Sequence, residues 1–244
     1  MMLAACLPAT ALAALPLQVQ RVAAPAQLLH AGKKTLLTPR KPIEAGDRLV
    51  VGHIGRVGLR LVPSGELLLG EDSELFVHSA EPGTAGGGTV VRLALTHGSL
   101  HLDSLPRDGQ PAEDMRLNVG TLRVRVLGAE VWAGAEPGVA ETVCLLQGTV
   151  DIATDFGNEH LDTPGDCLRF GANHVRMLLR PENDGVLARK LARTTFAGDP
   201  PLAAPPAAVA MPRPPPSAPP TPLVQQAAEP PPAVTPAEPA PAAV

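Results

Sequence analysis

His97, Ser99, His101 and Asp103 stand at alternate positions, so an extended backbone would carry two imidazoles, a hydroxyl and a carboxylate on one side. Imidazole and carboxylate are ordinary ligands for zinc and similar ions. No fourth ligand follows at a suitable spacing, and Gly98 interrupts the register, so the plainer expectation is the polar, solvent-facing side of an amphipathic strand. Cys144 and Cys167 form a second candidate pair. In an oxidising compartment they can close a disulfide, provided their Cα atoms come within about 7 Å. Otherwise they are two free thiols acting as small apolar groups. Cys144 alternates with Val143 and Leu145, and Cys167 with Leu168 and Phe170, which places both cysteines off the main core.

Other chemistry is harder to assemble. No Gly-x-Ser-x-Gly elbow occurs, and no cysteine, histidine and acid are arranged as a nucleophile with its base. Ser64 and Ser73 fall in turn contexts, and the acidic pairs Glu71-Asp72 and Glu113-Asp114 fall in loops, where solvation accounts for them. Gly86-Gly87-Gly88 lacks the strand, lysine and helix of a phosphate loop. The expectation is a noncatalytic protein with no catalytic residue, cofactor site or metal site. A formal charge of -4 gives no basic footprint for nucleic acid.

The elements that would position these residues are strands. Leu122, Val124 and Val126 alternate with Arg123 and Arg125, the period of a half-buried strand. Val143 and Leu145 repeat the pattern, Gly148 turns it, and Val150 and Ile152 resume it. Earlier pieces behave alike: Val57, Leu59 and Leu61; Glu66 to Leu69; Leu75 to Val77; Val91, Leu93 and Leu95, with a turn at His97-Gly98; then Leu100 and Leu102. Pro63-Ser64-Gly65 is a hairpin turn, and Gly83 to Gly88 a loop tip. With one Trp, four Phe and no Tyr, the core must be Leu, Val and Ala. Trp132 reads as a core residue, or as the lining of a carbohydrate or peptide groove. Many short strands with frequent turns predict an all-β, antiparallel, jelly-roll-like sandwich. A short C-terminal helix starts at Asn183 or Asp184, with Leu187 and Leu191 on one face and Arg189, Lys190 and Arg193 solvated.

The ends differ in character. Met1 to Leu17 is uncharged and apolar, and Ala11-Leu12-Ala13 has the form of a signal-cleavage triplet. Leu3-Ala4-Ala5-Cys6 has the form of a lipoprotein box, which requires a translation start further upstream. A plain apolar helix without export is the third reading. Residues 199–244 carry most of the 29 prolines and predict a disordered, extended tail, either a spacer or docking strip or an end without a dedicated partner.

The order of turns and strands resembles the FecR-type domain of the iron-citrate signalling regulators. The matching pieces are Gly46-Asp47, Gly58-Leu59-Arg60-Leu61, Ser64-Gly65-Glu66-Leu67, Ser73-Glu74-Leu75, Gly98-Ser99-Leu100, Gly128-Ala129-Glu130-Val131, Leu146-Gln147-Gly148-Thr149-Val150 and Pro164-Gly165-Asp166. They span about residues 43–175. Where the family has Gly-Thr-x-Phe, this chain has Gly128 to Val131, and Gln147 replaces the usual glutamate. The resemblance implies a noncatalytic β fold working outside the cytoplasm. Residues 1–42 leave no room for the family's cytoplasmic segment and membrane helix together, so the expectation is a free-standing exported member.

The domain expectation is a leader at 1–20, an extension at 21–42, a β domain at 43–180, a helix and linker at 181–198, and the tail. Gly46, Asp47, Gly65, Gly128, Gly148 and Gly165 are its fold-motif residues, and Cys144 and Cys167 its candidate disulfide. The expected function is a periplasmic or otherwise exported module that binds an envelope protein or glycan, does not bind nucleic acid, and meets a membrane only if lipidated at Cys6. The alternative is a regulatory partner in sigma-factor signalling for iron uptake.

Overall fold

The computed structural model describes residues 17–200 apart from 63, 82–88, 108, 110, 111, 113, 172, 174 and 180–183. The apolar leader, the Gly83 to Gly88 tip, the Asn183 cap and the tail from residue 201 lie outside the described residues.

Two sheets share one core, and the chain builds them by turns. β1 (Leu17–Ala23) lies in sheet I. β2 (Ala26–His30), β3 (Lys33–Leu36) and β4 (Arg48–Val51) lie in sheet II. The hairpin of β5 (Arg56–Leu61) and β6 (Glu66–Leu69) returns to sheet I. β7 (Ser73–Glu81) goes back to sheet II and pairs there with the first part of β8 (Val90–Asp103). Four further hairpins then alternate. β9 (Asp114–Val119) with β10 (Leu122–Leu127) joins sheet II, and β11 (Glu130–Glu136) with β12 (Ala140–Gln147) joins sheet I. β13 (Val150–Thr154) with β14 (Gly157–Leu161) joins sheet II, and β15 (Cys167–Gly171) with β16 (Arg176–Leu179) joins sheet I. Helix α1 (Asp184–Ala192) follows. This is an all-β sandwich with a short helix.

β8 belongs to both sheets. It pairs with β7 up to His97, with β11 from Gly98 onward and with β6 from Leu100 onward. Gly98 has φ +87°, and a Cβ there would lie 2.3 Å from Ser73 Oγ. Only glycine fits so tight a corner. Ser73 Oγ staples it, accepting from the Ser99 amide at 2.9 Å and donating to the Ser99 carbonyl at 3.1 Å. The expected turn at His97-Gly98 is therefore a bend inside one long strand. The crossing also corrects the expectation of a wholly antiparallel fold. β8 runs out along sheet I, and the next strand, β9, pairs with its sheet II part in parallel, Val90 beside Asp114 through Leu95 beside Val119. A parallel pair needs a crossover connection.

Alternation fills the core as the spacing predicts. Leu122, Val124 and Val126 are buried while Arg123 and Arg125 are exposed. Leu, Val and Ala from both inward faces make one continuous cluster. The sandwich starts earlier than residue 43. Leu17 and Val19 are buried in β1, which pairs with β5 in sheet I, and β2 and β4 extend sheet II on to β7. So residues 17–42 carry three strands of the fold and the connections that follow them. Their prolines sit in the connections: Pro25 between β1 and β2, Pro39 and Pro42 between β3 and β4.

The glycine motifs fall at turns and corners. The Gly46 amide donates to the Val77 carbonyl at 2.8 Å. Asp47 is buried, accepting from the Glu44 amide at 2.8 Å and facing His30 Nδ1 at 2.6 Å. Gly65 closes the β5–β6 hairpin with Leu61. Gly128, Gly148 and Gly165 stand where the chain leaves one sheet for the other.

Candidate functional site

The crossing of β8 disperses the histidine set. His97 lies in the sheet II part of the strand, opposite Glu74 and exposed. His101 lies in the sheet I part, 5% exposed, with Nε2 at 2.8 Å from Glu130 Oε1. Asp103 accepts from the Leu105 amide at 3.0 Å and pairs with Arg107. His101 and Asp103 are thus each held by a local structural partner. Among the described residues no three His, Cys, Asp or Glu side chains gather around one point.

The outer face of sheet I is closed. Cys144 on β12 and Cys167 on β15 are register partners, joined by a disulfide with Cα atoms 4.0 Å apart. Both point away from the main core, into a second cluster with Trp132, Leu146, Leu187 and Leu191. Leu187 and Leu191 are one helical turn apart and supply the apolar face of α1. Lys190 Nζ lies 5.6 Å from the Trp132 ring centroid, a cation–π contact. Thr194 N, Thr194 Oγ1 and Thr195 Oγ1 all donate to the Leu191 carbonyl, at 3.0, 2.9 and 2.9 Å, which satisfies the helix end.

The chain then continues across the sheet as a strap. Arg193 pairs with Glu136 at 3.1 Å. Phe196 lies under the Arg21 guanidinium at 4.4 Å, and both Asp199 carboxylate oxygens accept from Arg21 Nη1, at 2.9 and 2.7 Å. Arg21 also reaches Glu66 at 3.3 Å. Burial alone would lower the Arg21 pKa, but hydrogen bonding to Asp199 and the charges of Asp199 and Glu66 outweigh it and hold the guanidinium above its ordinary value. Asp199, the first residue of the expected tail, is part of this strap. Of the basic residues on the strap, Lys190 and Arg193 are engaged with sheet I.

The outer face of sheet II is open among the described residues, and here the arginines collect. Arg92 on β8 stands beside Arg116 on β9, and Arg116 stands opposite Arg125 on β10. Three guanidinium-bearing residues therefore share one row across three strands. Arg123 lies one pleat further along, opposite Asn118 and Ala153. Together with His78 they border a depression of about 660 Å³ whose floor includes Asn118 and Ala153. The four arginine side chains are 42 to 58% exposed. Their carboxylate partners are Glu81 at 3.7 Å from Arg92, Asp114 at 3.5 and 3.3 Å from Arg116 and Arg125, and Asp155 at 3.3 Å from Arg123. Chemically the face offers planar, fixed-charge donors suited to carboxylates or other oxyanions. Alternation identifies Arg123 and Arg125 as outward. Nothing in the sequence aligns them with Arg92 and Arg116, because that alignment depends on the parallel pairing.

Among the described residues no helix is long and apolar enough to cross a membrane. No family model matches the chain, and no curated protein matches it. Two crystal structures of a "putative anti-sigma factor" from Parabacteroides distasonis ATCC 8503 are similar in fold, each with a TM-score of 0.47, at 16% and 15% identity. The likeness covers 59% of this chain and 64% of theirs, so less than two thirds of those proteins is matched.

Proposed function

We propose that the protein is a noncatalytic module of the cell envelope that binds a partner through the open face of sheet II. One observation carries this reading: the two outer faces of the sandwich are treated differently. Sheet I is sealed by α1 and the strap, whereas sheet II presents a concave, arginine-lined surface. The Cys144–Cys167 bond supports an oxidising compartment, since such bonds persist outside the cytoplasm. Fractionating the producing cell and weighing the mature protein tests the location. The expected result is a periplasmic chain beginning near Ala14 with the disulfide closed. A cytosolic chain retaining Met1, with both thiols free, would overturn it.

A second reading, a regulatory partner in sigma-factor signalling, rests on the order of the glycine-centred turns from Gly46 to Gly165. It predicts that deleting the gene changes transcription dependent on a sigma factor. Binding without such a change would favour the first reading.

A further inference from the structure

Three arginines side by side are a cost to a sheet, because like charges on directly neighbouring positions repel. Sheet II carries this cost in its middle, at Arg92, Arg116 and Arg125, rather than at a frayed edge. The nearby carboxylates offset it only in part, all of them at 3.3 Å or more. An anionic occupant would complete the compensation.

The geometry limits what that occupant is. Neighbouring strands lie about 4.8 Å apart, so the row spans about 10 Å from Arg92 to Arg125. An α-helix laid across the strands, with acidic residues at i, i+3 or i+4, and i+7, presents three carboxylates over about 10.5 Å. An extended strand repeats its same-side residues every 6.6 Å or so, which stretches three of them over about 13 Å. The helix matches the row and the strand overshoots it. A helix is also about 10 Å wide, suited to a broad shallow depression rather than a narrow slot. The floor suits close approach, since Asn118 and Ala153, which flank Arg123 on either side, are short side chains.

From this we infer that the arginine row of sheet II is the docking site for an α-helical segment of a partner protein with carboxylates along one face. The inference rests on sheet II being the binding face and adds the identity of what binds. The guanidiniums take the carboxylates, and the depression takes the body of the helix.

The test uses the full chain and two synthetic peptides of identical composition. In one, glutamates occupy a single helical face at i, i+3 or i+4, and i+7; in the other they are scattered around the helix. Polygalacturonate is the glycan probe. The one-faced peptide is expected to bind about tenfold more tightly than the scattered one. Its affinity should fall with added salt. The double variant Arg116→Ala with Arg125→Ala should lose about tenfold in affinity with its circular dichroism spectrum unchanged, while Arg60→Ala on sheet I should bind normally. Equal binding of both peptides, or binding of polygalacturonate in preference to either, would overturn the helical occupant and leave the binding face standing. No binding of any probe that depends on Arg116 and Arg125 would overturn the binding face as well.

Discussion

Arg116 and Arg125 stand directly opposite one another across the β9–β10 pair, and Asp114 is the carboxylate they share, at 3.5 and 3.3 Å. The acid sits one pleat from Arg116 on the same strand and is largely covered, its side chain 19% exposed. Replacing it with asparagine keeps the shape and removes the charge. Asp114→Asn should lower stability by about 0.5 to 1 kcal/mol at low ionic strength, because two opposed guanidiniums then lose their shared counter-charge. The loss should shrink at high salt, where exposed charges are screened. Urea unfolding of the two proteins at low and high salt measures both. A deficit independent of salt would mean that Asp114 acts through packing rather than charge.

The disulfide makes a second prediction, with two parts. Cys144 and Cys167 are 23 residues apart, so the bond should contribute about 3 kcal/mol. Unfolding midpoints with and without reductant measure this, and the variant Cys144→Ala with Cys167→Ala should be insensitive to reductant. Both cysteines are also fully buried beneath Leu187 and Leu191. Reductant can reach them only when α1 lifts, so native-state reduction should be slow and should accelerate in Leu187→Ala. Trp132 lies in the same cluster and is the chain's one tryptophan, so its fluorescence reports the opening. Reduction at the same rate in both proteins would mean that the helix does not guard the bond.

What could be read in advance followed periodicity. Leu122, Val124 and Val126 declared a strand and its inward face; Val143 and Leu145 told which way Cys144 points; Leu187 and Leu191 declared the apolar side of α1. Each of these is local, settled within a few residues by the period of the backbone. The features that were missed are non-local. β1 contains only two fully buried residues, Leu17 and Val19, next to an apolar leader, and nothing in that short run separates it from the leader. The crossing at Gly98 places His97 and His101 on different sheets, although their spacing is that of one strand face. The arginine row needs three registers at once. Arg92 and Arg116 meet only because β8 and β9 run parallel, a pairing that the loop between them permits but no residue pattern announces.

Corner glycines allow a sharper test than their number suggests, because two with similar backbone angles differ in surroundings. Gly148, at φ +88°, turns the chain from sheet I to sheet II, and a Cβ there would lie 2.9 Å from both the Ala129 Cβ and the Gly128 carbonyl oxygen. Gly138, at φ +76° in the β11–β12 hairpin, has nothing within 4 Å of the same position. An L side chain in the left-handed region costs about 1 to 2 kcal/mol at either site. At Gly148 the new methyl group must also displace backbone at a second corner, which adds about 1 to 3 kcal/mol. Gly138→Ala should therefore lose about 1 to 2 kcal/mol, and Gly148→Ala about 2 to 5 kcal/mol, in urea unfolding. The excess at Gly148 measures how tightly the two inter-sheet corners, at Gly128 and Gly148, press on each other. Equal losses would mean that the corners yield freely and that the glycine is kept there for its backbone angle alone.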